Sequence, residues 1–588
     1  ETVSDSLIDV TSIKDQDFYK KEAGFIRNDF WSKFINRKDT AVDLASTTDL
    51  DGGTRTNPGS YTLNLPCQKM RQVFAGLNGA TVTYTALPAG QYGVIEFVGV
   101  STDEIGERFI YTPGNSATKP AQMFTLNTAG DYAFDISIVI NSTGGFPGGS
   151  HVSGVSCYLD ISGTATAMTA TNTGTDGIDG RTVFTYSGTQ TLRVTDTISV
   201  YFKNTSGAPV TFYWLQFYQS HLTITADTTT PDTTADVWYL LDAATSILSK
   251  LVGQNSPVTS AFLNTACAKF ALSKGLNIRG YPVASKPFQM SFADWWEGVN
   301  PLLNLGLGYT TISGTNYIEI EKRESFFDPV PVLNLDYVNK IERSYQTKDI
   351  FKSIEVGFSK WSAESTGGVD DPQTKHTYRT RFKTVGEDVS YLSKFVGASL
   401  AIEQTRRNRA AQGKDWRMDN DTFIIALNKA DRTIPEKSEN FTSISGLLNS
   451  STRYNSRLTP AYIFKRWSKY FSGCLKWYPG AVFNFASGQG NCSMTSTLSA
   501  SDCEGDGIAL TENQNITAGS FLYAPIVYEF EHPLTWNEYK AIRNYRKKAI
   551  GISRSNTGHV PCYIFNLEYS LTRGKAKFKV QPANEILQ

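Results

Sequence analysis

The chain has 588 residues with 56 basic and 56 acidic side chains, so its formal net charge is zero and the totals favour neither a nucleic-acid nor an anionic-membrane partner. That length excludes a single hydrophobic core and implies roughly two to four domains. Aromatic residues make up 12% and charged residues 19%, with 47 glycines, a mix that favours β-rich architecture.

Apolar runs reach about five residues, as in "FIIAL" at 423–427, against the roughly 20 that a membrane-spanning helix needs, so no stable membrane insertion is expected. The cysteines are Cys67, Cys157, Cys267, Cys474, Cys492, Cys503 and Cys562. No C-x-x-C pair offers a zinc ribbon. Cys492 and Cys503 share a Gly/Ser/Asp-rich stretch and leave two readings open, a disulfide or idle thiols. The irregular set fits a chain made in a reducing cytoplasm.

Residues 1–51 form an N-terminal arm or docking segment. Its charged, aromatic stretch "DFYKKEAGFIRNDFWSKFINRKD" reads either as an arm on another subunit or as a helix packed on its own domain. From 52 to 225 short apolar runs alternate with Gly, Pro and Asn. In "DYAFDISIVI", Tyr132, Phe134, Ile136, Ile138 and Ile140 share one face, the period of a half-buried strand. The series predicts a β-sandwich of jelly-roll type. The polar run "ADTTTPDTTAD" at 226–236 is expected to be a linker.

Beyond it the period changes. Val237, Leu240, Leu241, Ala244, Ile247, Leu248 and Leu251 predict a helix capped by Asp236 and stopped by Gly253. A second helix is expected through Leu263, Ala266, Cys267, Phe270 and Ala271, ending at Gly275. A third starts at the N-cap Ser291, with Asp294 three residues on, and Pro301 is expected to kink or split it. Gly306 and Gly308 then release the chain into a hairpin with Ile318 and Ile320 facing inward. Strands are read at 352–361, 378–384 and 421–427, and a helix opened by Pro460. Near the end, Thr535 and Glu538 make a capping box. Tyr563, Phe565, Leu567, Tyr569 and Leu571 are expected on one face of a last hairpin, with Ala576, Phe578 and Val580 opposite.

Candidate chemistry is sparse. His151, His221, His376, His532 and His559 read as surface or loop histidines, and Ser150 beside His151 reads as loop. There is no G-x-S-x-G nucleophile turn or phosphate-binding glycine loop. Asp370, Asp371, Asp502 and Glu504 read as solvated acids, and "TGTDGIDGR" at 173–181 as a glycine turn rather than a calcium loop. The basic runs "RRNR" at 406–409 and "RNYRKK" at 543–548 read as solvated faces or as intersubunit contacts. No catalytic group, cofactor or metal is expected.

The stretch "DWWEGVNPLLNLGLGYTTISGTNYIEIEKRESFF" resembles the helix-then-hairpin element of bacteriophage tail-hub and tail-tip proteins. "AIEQTRRN", "DWRMDNDTFIIAL", "YNSRLTPAYIFKRW", "FNFASGQGN" and "YEFEHPLTWNEYKAI" resemble large tail proteins of phages infecting Bacteroidota. The likeness covers roughly 236–588. It implies two hub-like α+β domains, 237–430 and 431–588, built on small β-barrels with peripheral helices, behind an inserted or appended N-terminal sandwich. It further implies a structural virion protein of the tail hub, baseplate or muzzle, made in the host cytoplasm and acting by assembly rather than catalysis. Expected partners are its own copies in a ring, trimer or hexamer, and other tail proteins, with DNA passing through the channel without sequence-specific binding. Trp295, Trp296, Trp361 and Trp536 are the candidate interface or core anchors. The alternative is a protein binding host surface glycans through the sandwich, with Tyr213 and Trp214 as contacts.

Overall fold

Strands in several hydrogen-bonded sheets carry most of the ordered backbone, with helices between them, giving a strand-rich α+β arrangement. The computed structural model describes residues 6–16, 20–27, 30–66, 70–76, 83–94, 109–111, 124–126, 129–142, 149–193, 195–214, 220–228, 231–265, 270–360, 373–408, 415–427, 440–442, 454–455, 457–476, 480–488, 493–497, 509–553, 558–570 and 573–583.

Alternation along Gly130–Asn141 does what its spacing predicts. Tyr132, Phe134, Ile136, Ile138 and Ile140 are all buried, and the strand pairs antiparallel with Arg181–Leu192 and His221–Thr228. Opposite lies a second sheet built around Thr197–Asn204 and Val155–Ile161. Cys157, Leu159, Val200 and Phe202 of that sheet share one core with the alternating residues of the first. Two sheets with one inner face each therefore cover one another.

Tyr61–Leu65 does not join these sheets. It pairs with Thr233–Tyr239 at the edge of a nine-stranded sheet. The run 226–236 is thus not a bare linker, because His221–Thr228 and Thr233–Tyr239 draw on it for backbone. Its Thr and Asp side chains cannot build a core, but ladder bonds use the main chain and do not need them. The nine-stranded sheet continues through Phe270–Lys274, Thr422–Ala426, Glu387–Val396, Phe351–Lys360, Lys375–Arg379 and Val482–Gly488 to Ile516–Thr517, taking strands from both sides of residue 430.

The helix expected from Val237 is Leu240–Val252, closed by Gly253 at φ 72°. Val237 belongs to the preceding strand. The second expected helix is short, Ala261–Thr265, and Phe270–Lys274 is a strand instead. Phe270 and Leu272 enter one core while Ala271 enters the core on the other side of the sheet. Burial on both faces erases the period-two signal that distinguishes a strand.

Helix Phe292–Leu303 begins as its sequence dictates: Ser291 Oγ accepts from the Asp294 N–H at 3.0 Å. It is neither split nor interrupted. Pro301 lies in the last turn, where the residue losing a hydrogen-bond donor to its carbonyl, Glu297, is exposed. Gly298 lets the Phe395 ring lie on the helix, since a Cβ there would sit 2.2 Å from Phe395 Cζ. Asn304, left-handed at φ 52°, turns the chain directly into strand Leu305–Ile312. Gly306 and Gly308 are inside that strand, and their missing side chains make room for Phe326, which packs flat on the hairpin. Ser313 and Gly314, both at positive φ, form the two-residue turn into Thr315–Lys322.

A six-stranded sheet holds Asp328–Leu335, Lys548–Ile552, Val560–Ser570, Lys575–Pro582, Ile526–Pro533 and Glu342–Tyr345 in that order. Helix Trp536–Asn544 carries the expected capping box of Thr535 and Glu538. The last hairpin departs from the expected single face. A register shift between Ile564 and Asn566 places a bulge at Phe565. Tyr563 is buried with Tyr523, Phe565 is exposed, and Leu567 and Tyr569 pack against the core that holds Phe578. Leu571 lies outside the described residues.

Replacing Gly306 by Val would put a Cβ 2.4 Å from Phe326 Cδ2. We predict a loss of about 1–3 kcal/mol in urea unfolding. The loss should shrink in a Phe326→Ala background, and an equal loss in both backgrounds would refute the packing argument.

Candidate functional site

The expected tryptophan anchors fall in different surroundings. Trp295 is fully buried and stacks on Phe292 at 5.7 Å, so it is core. Trp296 is half-buried beside it. Trp536 is half-buried, stacked on Tyr539 and Tyr569 with the Lys540 ammonium over its ring. Trp361 lies outside the described residues, as do Asp370, Asp371, Cys492, Asp502, Cys503 and Glu504. Tyr213 is half-buried opposite Asn141, and Trp214 is described only through its backbone pairing with Ile140.

The hairpin 305–322 offers the clearest contact surface. Leu305–Ile312 is the outer strand of its three-stranded sheet and has no further partner among the described residues. Leu307, Tyr309 and Ile312 on it are exposed. Ile318 and Ile320 on the inner strand are fully buried, so the hairpin is anchored through one strand and presented through the other. The Tyr309 ring is clasped between Trp31, at 4.8 Å, and the Arg546 guanidinium, at 4.2 Å. Ile35, one helical turn from Trp31, and Tyr545, beside Arg546, are exposed as well.

This clasp accounts for two sequence features. Helix Phe30–Arg37 packs on the protein's own core through Phe34, which meets Phe292 at 5.1 Å. Earlier in the N-terminal segment, Ser6–Gln16 and Lys20–Arg27 form a two-stranded ribbon that pairs with no other described strand. The basic run 543–548 is not a uniformly solvated face: Arg546 covers Tyr309, and Lys547 pairs with Glu319 at 2.5 Å and covers Phe326.

The other basic run is more strongly corrected. Arg406 is fully buried on helix Ser399–Arg407 and holds both oxygens of buried Glu403, at 2.7 Å each, while Arg407 reaches the same carboxylate. Arg406 also donates to the Pro231 carbonyl at 2.9 Å. These arginines serve an internal network that the polar look of "EQTRR" conceals.

The histidines lie nearer to carboxylates than the sequence suggests. His151 Nδ1 is 2.8 Å from Asp176 and His559 Nε2 is 3.0 Å from Asp336. Ser150 and His151 both serve the 173–181 loop, where Ser150 Oγ accepts from the Gly177 N–H and the Asp176 carboxylate accepts from the His151 N–H. Asp179 accepts from the Thr175 N–H, and Gly174 and Gly177 take positive φ, so the segment is a glycine turn held by its own carboxylates.

His376 is the exception to the surface reading. It is buried on strand Lys375–Arg379, with Nδ1 3.4 Å from Oε2 of buried Glu512. Glu512 accepts from the Ala461 N–H at 3.2 Å, at the start of helix Pro460–Phe471. Burial pushes His376 down to about 3 and Glu512 up to about 7. The pair is therefore neutral over the range in which free histidine and free glutamate would both be charged, a polar contact and not an ion pair. Nothing local in the sequence links the two residues.

Among the described residues no group of three or more His, Cys, Asp or Glu side chains is placed to hold a metal ion, and no helix is long and apolar enough to cross a membrane. The chain matches no protein-family model and no curated protein sequence.

The buried pair generates a pH test. In Glu512→Gln only the histidine remains. The unfolded chain then protonates below 6.5 and the folded chain only below about 3, so stability should rise by about 1.4 kcal/mol per pH unit between these limits. In His376→Gln the unfolded glutamate ionises above 4.5 while the folded one keeps its proton to about 7, so stability should fall at the same slope across that window. In the natural chain the slopes cancel where the windows overlap. Urea unfolding across this pH range measures all three, and identical profiles would show that the pair does not titrate as described.

Proposed function

We propose that this chain is a structural subunit of a bacteriophage tail, forming part of a ring around the channel near the tail tip, as a hub, baseplate or muzzle component. On this reading the paired sheets of the N-terminal half are a jelly-roll-like sandwich, and the later sheets correspond to hub-like barrels with peripheral helices. Its partners are further copies of itself, three or six to a ring, and neighbouring tail proteins. DNA passes through without sequence-specific contact.

The observation that carries the reading is the open edge of Leu305–Ile312, eight residues long with Leu307, Tyr309 and Ile312 exposed. Such an edge is a template for strand addition by another chain, and proteins that stay single usually blunt it with charge, proline or a covering element. Here the strand itself holds no charged residue or proline, no described strand pairs with its outer side, Trp31 and Arg546 brace its Tyr309 ring, and it stands on a hairpin fixed by buried isoleucines. A closed ring needs a patch that meets a different patch on the next copy, and a rigid edge strand supplies one half of such a contact. The resemblance of the same stretch to tail-hub hairpins supports this independently.

The test is the oligomeric state of the full chain by size-exclusion chromatography with light scattering. The natural chain should form a discrete ring, and Leu307→Lys combined with Ile312→Lys should reduce it to monomer with an unchanged circular dichroism spectrum. A natural chain that stays monomeric at every concentration, and that mass spectrometry does not find in virions, would overturn the proposal.

A further inference from the structure

We propose, on the reading of the chain as a ring subunit, that the ribbon of Ser6–Gln16 and Lys20–Arg27 from one copy adds as a strand to the open edge of Leu305–Ile312 on the next. The main chain of that edge is set for a partner. The Ser313–Gly314 turn makes Ile312 and Thr315 the closing hydrogen-bonded pair, and at the far end the Arg323 N–H donates to the Asn304 carbonyl at 2.9 Å. Residues of even number from 304 to 312 therefore bond inward, and those between them direct N–H and C=O outward. Leu305 gives its N–H to Asn300 Oδ1 at 2.8 Å. The N–H groups of Leu307, Tyr309 and Thr311 have no acceptor among the described residues.

The ribbon is open in the same way. Its strands pair with each other and with no other described strand. A two-stranded ribbon is marginally stable alone in water, and a further strand makes it part of a sheet. Its two sides differ. The register shift between Asp9 and Lys14 sets residues 10–13 opposite Ala23 alone, a bulge that disrupts the Ser6–Gln16 side as an edge. Lys20–Arg27 carries no such insertion and is eight residues long, as is Leu305–Ile312. The regular side of the ribbon thus matches the open edge in length.

The root of the ribbon is fixed beside the hairpin. Helix Phe30–Arg37 follows Lys20–Arg27 closely in the chain and is held by Phe34 against Phe292 and by Lys33 and Arg37 on Asp51, at 2.8 and 2.7 Å. Trp31 of the same helix touches Tyr309 at 4.8 Å. Yet within one copy the ribbon and the edge do not pair. Each is a row of main-chain donors and acceptors with one side unpaired among the described strands, and exchange between copies satisfies both. Ladder bonds join main chains, so the uncharged sequence of Leu305–Ile312 is no obstacle. Ribbon and edge are different patches, which is the kind of contact that closes a ring.

Complementation between two variants tests this. A chain lacking residues 1–27 keeps the edge and loses the ribbon. Leu307→Pro keeps the ribbon and removes an outward donor, at an edge position where a strand tolerates proline. In size-exclusion chromatography with light scattering each variant alone should be monomeric, and an equimolar mixture should give a dimer. In the natural ring the amides of Leu307, Tyr309 and Thr311 should exchange hydrogen roughly a hundredfold more slowly than in the shortened chain. Should a variant fail to fold, Ala23→Pro with Phe25→Pro replaces the deletion and Leu307→Lys with Ile312→Lys replaces the proline, with the same expected outcomes. A ring formed by the shortened chain, or a mixture that stays monomeric, would overturn the ribbon contact and leave the ring reading standing. A natural chain that is monomeric at every concentration removes both.

Discussion

The last turn of helix Phe292–Leu303 sets a problem that the surrounding structure solves. A helix end leaves carbonyls without intrahelical donors, and this one lies against other segments of the chain, with Leu302 and Leu303 buried. The Asn304 N–H takes the Asn300 carbonyl, the Trp467 indole takes Pro301 and the Arg466 guanidinium takes Leu302. Asn304 then returns a bond to the Arg466 carbonyl and receives two from Arg323. Three segments far apart in sequence are locked by one set of donors. Losing the Arg466 guanidinium would leave the buried Leu302 carbonyl bare, at a cost of about 1–3 kcal/mol.

From this junction the rest of the arrangement follows. The helix fixes the origin of the hairpin, and the hairpin's inner isoleucines enter the core that also holds Phe34, Trp238 and Phe483. Its outer strand is then held clear, braced by Trp31 from the N-terminal segment and by Arg546 from near the other end of the chain.

Much of the local chemistry was legible in the sequence, although Asp236, the expected cap, lies in a strand and the helix starts after Tyr239, whose side chain makes no cap hydrogen bond. The caps at Ser291, Gly253 and Thr535, the alternation through 131–140 and the Pro460 helix start all depend on residues within a few positions of each other. What could not be read is set by distant partners. Phe270–Lys274 looks helical because both its faces are buried, and only the flanking strands reveal it. Pro301 appeared to be a breaker because its place in the final turn depends on where Asn304 reverses the chain. The bulge at Phe565 flips a face with no signal of its own. His376 meets Glu512, and Arg406 is buried, only through tertiary contacts. Of the tryptophans read as interface or core anchors, Trp295 serves the interior, while the exposed edge rests on Leu307, Tyr309 and Ile312, which lie in the expected hairpin but have no exposure signal of their own.

The nine-stranded sheet has Tyr61–Leu65 on one margin and Ile516–Thr517 on the other. A ribosome delivers Tyr61–Leu65 long before Ile516–Thr517, so the sheet cannot close until the later strand has emerged. The facing sheets whose shared core runs from Leu87 to Ile224 need no later segment and are free to fold first. The larger sheet must wait with its central strands formed and its final partner missing, a slow, high-contact-order closure. That interval leaves unpaired backbone exposed, and the order of translation becomes part of how the molecule keeps its open strand edges from pairing too soon.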